Sequence, residues 1–457
     1  MRKLFVLIVV LGLVFAGVYL AAGFGSGPAI QISKPEKFVG TSTPVEVIVD
    51  TPGGQLTALE VAFEQKGTRT VLFTLGAEGS QVERAAGQPD RVTLTRAVGT
   101  AQVPGLASGP ARIIVTASRP RLYGLRTLRS EQTHDVQVRL ERPKVSVLST
   151  HHYINLGGAE MVMYRVSPDD VQSGVTVGNV EYPGFPAKGV RVQGVDIGDP
   201  AVRVAFFALT YDQPLNSPIF LFARDEAGNT ARGDFDFRTF PKPFKKSRIE
   251  ISDKLLGRIV PAILAGTTEV KAAGSPIEQF LVINGELRRK NAAKIASFAA
   301  KTSPEMLWRG EVFYPFSNTS AEAAFADQRT YLYQGKEVDH QVHLGFDLAS
   351  FAGTPIVAAN RGQVLFAEEL GIYGNCVIID HGMGVQSLYA HLSAIETKPG
   401  ERVEKGQRIG RSGMTGLAGG DHLHFTMLVN GQMVNPVEWW DAHWIEDRIV
   451  RKIKTPQ

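Results

Sequence analysis

The sequence predicts a mainly β chain: two immunoglobulin-like β-sandwiches, a helical connector and a C-terminal antiparallel β-sheet domain, all behind an N-terminal transmembrane helix. Three observations predict it. An uncharged run fills Leu4 to Phe24, short Val/Ile/Thr/Phe-rich runs recur between turn residues from about Gln31 to Phe240, and strand-like text returns from about Gly310 to the Trp439-Trp440 pair. At 457 residues the chain exceeds one ordinary core, and 44% hydrophobic with 21% charged residues is the composition of folded domains.

Arg2 and Lys3 precede the apolar run LFVLIVVLGLVFAGVYLAAGF. About twenty such residues suffice to span a bilayer as a helix. The basic pair keeps the N-terminus cytoplasmic, so the bulk of the chain is expected to be extracytoplasmic. Residues 1–27 are therefore a membrane anchor or signal segment. Leu20-Ala21-Ala22-Gly23 offers small residues for cleavage. The run is longer than a usual signal core, which favours the anchor.

The net charge of +4 is mild and forms no concentrated basic face, so nucleic acid is not an expected partner. It does allow attraction to an acidic wall or membrane surface. The single cysteine, Cys376, excludes internal disulfides. Lying in the apolar run Cys376-Val377-Ile378-Ile379, it reads as a small buried hydrophobe.

Pro44–Asp50, Leu56–Phe63, Arg69–Leu75, Arg91–Val98, Arg112–Ala117 and Asp135–Leu140 form a first strand set. Lys144–Ser149, Glu160–Val166, Val190–Ile197, Val202–Thr210 and Pro218–Ala223 form a second. The spacing predicts sandwiches over 28–142 and 143–240, divided near Arg142-Pro143. His151-His152 lacks a neighbouring ligand and reads as strand or loop surface. Residues 241–309 read as linker and helical connector. Pro241 to Lys246 is the linker, Ser252-Asp253 caps a helix interrupted at Pro261, and Pro276–Lys301 has helical spacing.

Seven of the ten histidines fall between His340 and His443. Two patterns matter there: His343-Leu344-Gly345-Phe346-Asp347 and His422-Leu423-His424. Alternate residues of a strand share a face, so His422 and His424 point one way while Leu423 and Phe425 point to a core. His343 and Asp347 share a face too, with Gly345 removing bulk between them. If the two strands approach, imidazoles and a carboxylate converge in a set suited to Zn²⁺, with one position left for water. The set holds one group more than three-ligand chemistry needs. A spare imidazole, with His391, could move protons or stabilise an oxyanion. His340, three residues from His343, falls on the opposite face. His381 reads as a structural hydrogen bonder and His443 as part of a packed aromatic terminus.

The surrounding text carries a specific resemblance. Gly353-Thr354-Pro355, Tyr373-Gly374-Asn375, Asp380-His381-Gly382, Tyr389-Ala390-His391-Leu392, Gly406-Gln407-Arg408-Ile409-Gly410 and Gly413-Met414-Thr415-Gly416 occur in order between the two patterns. Over roughly Gly310 to Trp440 the chain resembles the lysostaphin/LytM-type zinc metallopeptidases. The resemblance implies a peptidase domain over 310–445, followed by a tail over 446–457, and one Zn²⁺ per chain held by His343, Asp347 and His424. It implies catalytic roles for His391 and His422, and endopeptidase cleavage of peptidoglycan stems or cross-links by metal-activated water. The expected site is the bacterial cell envelope, with a single-pass inner-membrane anchor, periplasmic if the envelope is Gram-negative, and envelope proteins as partners of the sandwiches. Two positions depart from the family pattern: Asp421 stands where Pro is common, and Thr426 where an acidic residue is frequent. One competing expectation is a non-enzymatic regulator or scaffold that activates another wall hydrolase; another is an active enzyme kept latent, the helices between Ser252 and Lys301 covering the groove until displaced.

Overall fold

The computed structural model describes residues 2–455 apart from 22–25, 52–54, 78–81, 85–87, 89, 122, 123, 125, 317 and 318; Ala22 and Gly23 of the cleavage candidate lie outside the described residues. Helix α1 (Arg2–Ala21) carries no charge beyond Arg2 and Lys3, and its apolar side chains are exposed on every side. Its mean hydropathy of 2.5 fits a membrane anchor or a signal segment. The chain divides into two compact units, Met1–Pro143 with Arg224–Thr230, and Lys144–Ala223 with Ala231–Gln457.

In the first unit a five-stranded sheet contains Arg126–Val138, Gly109–Arg121, Ala58–Gln65 and Thr68–Thr74, and a four-stranded sheet is centred on Ser42–Asp50 and Arg91–Gly99. Residues alternate between exposed and buried along Ser42–Asp50, as expected of a sheet with one solvated face. Val47, Leu94, Val61, Ile113 and Val136 from both sheets meet in one core. The last expected strand of this region, Asp135–Leu140, is the end of a 13-residue strand, Arg126–Val138, paired along Gly109–Arg121.

The second unit takes in Lys144–Ala223 and Ala231–Gln457. Gly158–Ser167 and Val202–Leu209 pair at the centre of a four-stranded sheet, and every residue of the latter is buried. A sheet covered on both faces loses its alternation. One face packs toward the C-terminal part of the chain: Phe206 lies 6.2 Å from Trp439, and one core cluster runs from Met161 and Phe207 to Trp308, Phe425 and Trp439.

Polar groups reinforce the junction. Lys452 donates to Glu160 at 2.6 Å, with both side chains almost fully buried. The Glu438 carboxylate accepts from Asn155 Nδ2 at 2.8 Å and from the Ala159 amide at 2.9 Å. Burial pushes its carboxyl up to about 7. A Cβ on Gly158 would lie 2.4 Å from Glu438 Oε1, so only glycine leaves room for this contact.

Two local expectations are corrected. Val190–Ile197 is not a strand; it leaves a 3₁₀ turn and drops Val190 and Val192 into the core without a pairing partner. The His151-His152 pair is split: His152 is buried, its ring nitrogens meeting the Ser149 hydroxyl and the Asp236 carbonyl at 2.9 and 3.0 Å.

Within 241–309, Lys246–Ile251 is a strand, parallel to Asp327–Tyr333 in a three-stranded sheet completed by Lys336–His343. Helix α2 (Asp253–Gly266) follows, with the Ser252 hydroxyl accepting from Leu255 N and Pro261 inside the helix. Helix α3 (Pro276–Val282) begins at a Ser275/Glu278 capping box, and a π-turn links it to α4 (Arg288–Ser297).

The C-terminal part is built on an eight-stranded sheet that places Phe346–Ala349, Leu423–Val429, Val385–Leu392 and Asn375–Gly382 side by side. Cys376 is fully buried there, as expected of a small hydrophobe.

Candidate active site

Strand register brings the distant patterns together. Asp347 pairs with His424, which on its other side faces Ala390, the neighbour of His391. His343 ends its strand opposite Asp327, four residues before Asp347. Gly345 is the condition for this approach, because a Cβ there would sit 2.3 Å from the His424 ring and 2.6 Å from Thr426 Oγ1.

Asp347 Oδ1, His343 Nε2 and His424 Nδ1 lie 2.9 to 3.0 Å from one another, and all three residues are buried. The protons of both rings are committed elsewhere. His343 Nδ1 donates to the Ala324 carbonyl at 3.1 Å. His424 Nε2 donates to Thr426 Oγ1 at 3.1 Å, and that hydroxyl donates onward to the Leu344 carbonyl at 2.9 Å. These tautomers are assigned from the partners. Two imidazole lone pairs and a carboxylate oxygen then converge with no proton between them. Donors on a tetrahedral zinc with bonds of about 2.0–2.2 Å stand roughly 3.3 Å apart, so the three residues fit such an ion.

Burial disfavours charge on Asp347, but the facing histidines, His343 foremost, outweigh it and hold the carboxyl well below the usual range. Burial lowers His424 to about 4, leaving it neutral.

The other two imidazoles stand beside the triad. His391 and His422 rings are 4.8 Å apart, and His391 lies 5.7 Å from His424. His391 Nδ1 donates to the Thr415 carbonyl at 2.8 Å, and His422 Nδ1 to the Gly420 carbonyl at 2.9 Å. Burial and the neighbouring histidines keep His391 well below its ordinary pKa. In His422 the burial effect is outweighed by Asp347, 3.5 Å from its Nε2, and the pKa rises. His391 adopts φ +61°, a left-handed backbone rare for a residue with a Cβ and frequent at functional positions.

His340 points away, 69% exposed, and His443 is exposed beside the packed Trp439 and Trp444 rings. His381 is fully buried, donating to the Arg361 carbonyl and accepting from Ser387. The departing residue Asp421 ties loops together by accepting from Ser412 Oγ at 2.6 Å and from the Gly353 amide at 3.3 Å.

Sequence reasoning missed Arg329, whose Nη2 donates to Asp347 Oδ2 at 3.2 Å. The connector helices roof the site. A cavity of about 300 Å³ is lined on one side by the triad, His391 and His422, and on the other by Leu255 and Ile259 of α2, Phe280 of α3, and Tyr331. Arg258 of α2 donates to the Ala418 and Gly419 carbonyls at 2.7 and 3.2 Å, in the loop just before His422.

An antiparallel sheet that gathers two imidazoles and a carboxylate about one point, beside two further histidines, has the construction of a metallopeptidase domain. Residues 341–436 match the model of peptidase family M23, and this part of the chain is an M23 peptidase domain. The chain is 46% identical over 97 residues to the DD-carboxypeptidase/endopeptidase Mpg of Neisseria meningitidis, a match spanning 21% of this chain and 22% of that protein. It is 30% identical over 186 residues to the peptidoglycan DD-endopeptidase ShyA of Vibrio cholerae, covering 40% of each. Among solved structures, the catalytic domain of lysostaphin from Staphylococcus simulans matches with 27% identity and a TM-score of 0.24, over 27% of this chain and 92% of that one.

Proposed function

We propose that the chain is a zinc-dependent endopeptidase that hydrolyses peptide bonds in peptidoglycan stems or cross-links, held at the outer face of the inner membrane by α1. The observation that carries this reading is the convergence of the His343, Asp347 and His424 acceptors without a shared proton. Two relatives named as peptidoglycan DD-endopeptidases support the substrate class. A zinc ion at the triad would supply Lewis acidity toward a peptide carbonyl and acidify an attacking water. His391, neutral and with its Nδ1 proton engaged, has Nε2 as its basic site and can take that proton. His422, biased toward its protonated form, can stabilise developing negative charge or protonate the leaving amine.

The test is mass analysis of muropeptides incubated with the detergent-solubilised full chain. Cleaved stems or cross-links are expected, with loss of products on chelation and their return with zinc. Zinc binding without cleavage of any muropeptide would favour the regulator reading instead.

The roof favours one addition: the enzyme is latent until α2 moves. The Arg258 hydrogen bonds, half-open to water, are worth about 1 kcal/mol, so Arg258→Ala should raise kcat/KM roughly fivefold. Unchanged activity in a normally folded variant would dismiss latency.

A further inference from the structure

We propose that Arg329, fixed by Asp327 and Ser247, is a positioning residue that orients Asp347 toward the metal. The inference rests on the zinc reading of the triad and extends it beyond the span matched to the family, since all three residues precede position 341.

The two oxygens of Asp347 have separate tasks. Oδ1 faces the imidazoles of His343, His424 and His422, while Oδ2 accepts from Arg329 Nη2 at 3.2 Å. A carboxylate with one free oxygen can swing about its last torsion and present either atom; anchoring Oδ2 removes that freedom. A guanidinium beside a dication site is electrostatically unfavourable unless compensated. Asp327 provides the compensation, its Oδ2 3.4 Å from Arg329 Nε and its side chain only 3% exposed. The Ser247 hydroxyl lies 2.8 and 2.9 Å from the two Asp327 oxygens and donates to the carboxylate.

The strands fix these contacts. Asp327 pairs across the sheet with His343, and Arg329, two residues on, projects from the same face. Ser247 comes from the parallel strand Lys246–Ile251, which leads directly into α2. The chain Ser247–Asp327–Arg329–Asp347 thus joins the strand beneath the roof to a metal ligand. Partners of this kind commonly change metal affinity by about 10–100-fold.

The experiment measures zinc affinity of the full-length chain in detergent by competition with a chromophoric chelator, alongside muropeptide kinetics and the thermal midpoint of the metal-free protein. Arg329→Met should weaken zinc binding about 10–100-fold in protein that remains folded, with a lowered metal-free midpoint because Asp327 loses its partner. Arg329→Lys should recover part of the loss, and Ser247→Ala should weaken binding less than Arg329→Met. Zinc affinity within twofold of wild type together with a raised KM would overturn the proposal and make Arg329 a substrate-binding cation. If Arg329→Met does not fold, Arg329→Gln is judged by the same criterion. Wild-type protein that binds no zinc would remove the reading of the triad itself, an outcome distinct from a variant that binds as wild type does.

Discussion

His343→Ala is expected to abolish stoichiometric zinc binding and to lower kcat/KM for muropeptide cleavage by on the order of 10⁴-fold, the equivalent of several kcal/mol of Lewis-acid stabilisation. The reason is geometric. His343 Nε2 is one corner of a triangle with sides near 3 Å, and no other side chain on the strand pair can replace it, because His340 faces solvent. His391→Ala and His422→Ala are expected to behave differently. Both should retain zinc and lose about 10²–10⁴-fold in rate, because these rings border the triad without entering it. Chelator competition and single-turnover cleavage measure the two effects separately. A His343→Ala protein that keeps activity within tenfold of wild type would refute the metal centre. Full function of both His391→Ala and His422→Ala in cells would refute the enzyme.

The second large effect is on stability. Lys452→Ala should destabilise the Lys144–Ala223/Ala231–Gln457 unit by about 3–5 kcal/mol, because it strands the Glu160 carboxylate where no water can reach it. Burial pushes the Glu160 carboxyl upward and the Lys452 ammonium downward, and each is opposed by the charge of the other. The Tyr153 and Met161 amides complete the hydrogen bonds of Glu160. Replacing both charges, as in Glu160→Gln with Lys452→Met, should recover most of the loss, since an apolar or neutral substitute avoids the desolvation cost. Urea unfolding monitored by tryptophan fluorescence reads the effect, with Trp308 and Trp439 buried in the same core. A shift below 1 kcal/mol for Lys452→Ala would mean that the pair is not buried in solution.

Much of the site was legible in the sequence because its chemistry lies in short motifs on strands. Alternation alone put His422 with His424 and His343 with Asp347 on common faces, and Gly345 marked the place where another side chain must approach. The N-terminal helix was legible for a similar reason: a continuous uncharged run needs no tertiary partner to be recognised.

Only the tertiary structure decided which atoms converge and what surrounds them. The tautomers depend on Ala324, Thr415, Gly420 and Thr426, whose positions no local pattern encodes. Arg329 looks like an ordinary strand arginine, and Lys246–Ile251 acquires its meaning from a parallel partner some eighty residues later. The shared core did leave a trace. Val202 to Leu209 lacks the alternation of a half-exposed strand, a sign that both of its faces would be covered. Which surface covers the second face was set by packing of Phe206 against Trp439, more than two hundred residues away, and by a lysine and a glutamate that find each other only after the chain has folded. Local patterns fix which side of a strand a residue occupies, whereas contacts between distant segments depend on the whole arrangement of surfaces competing for burial.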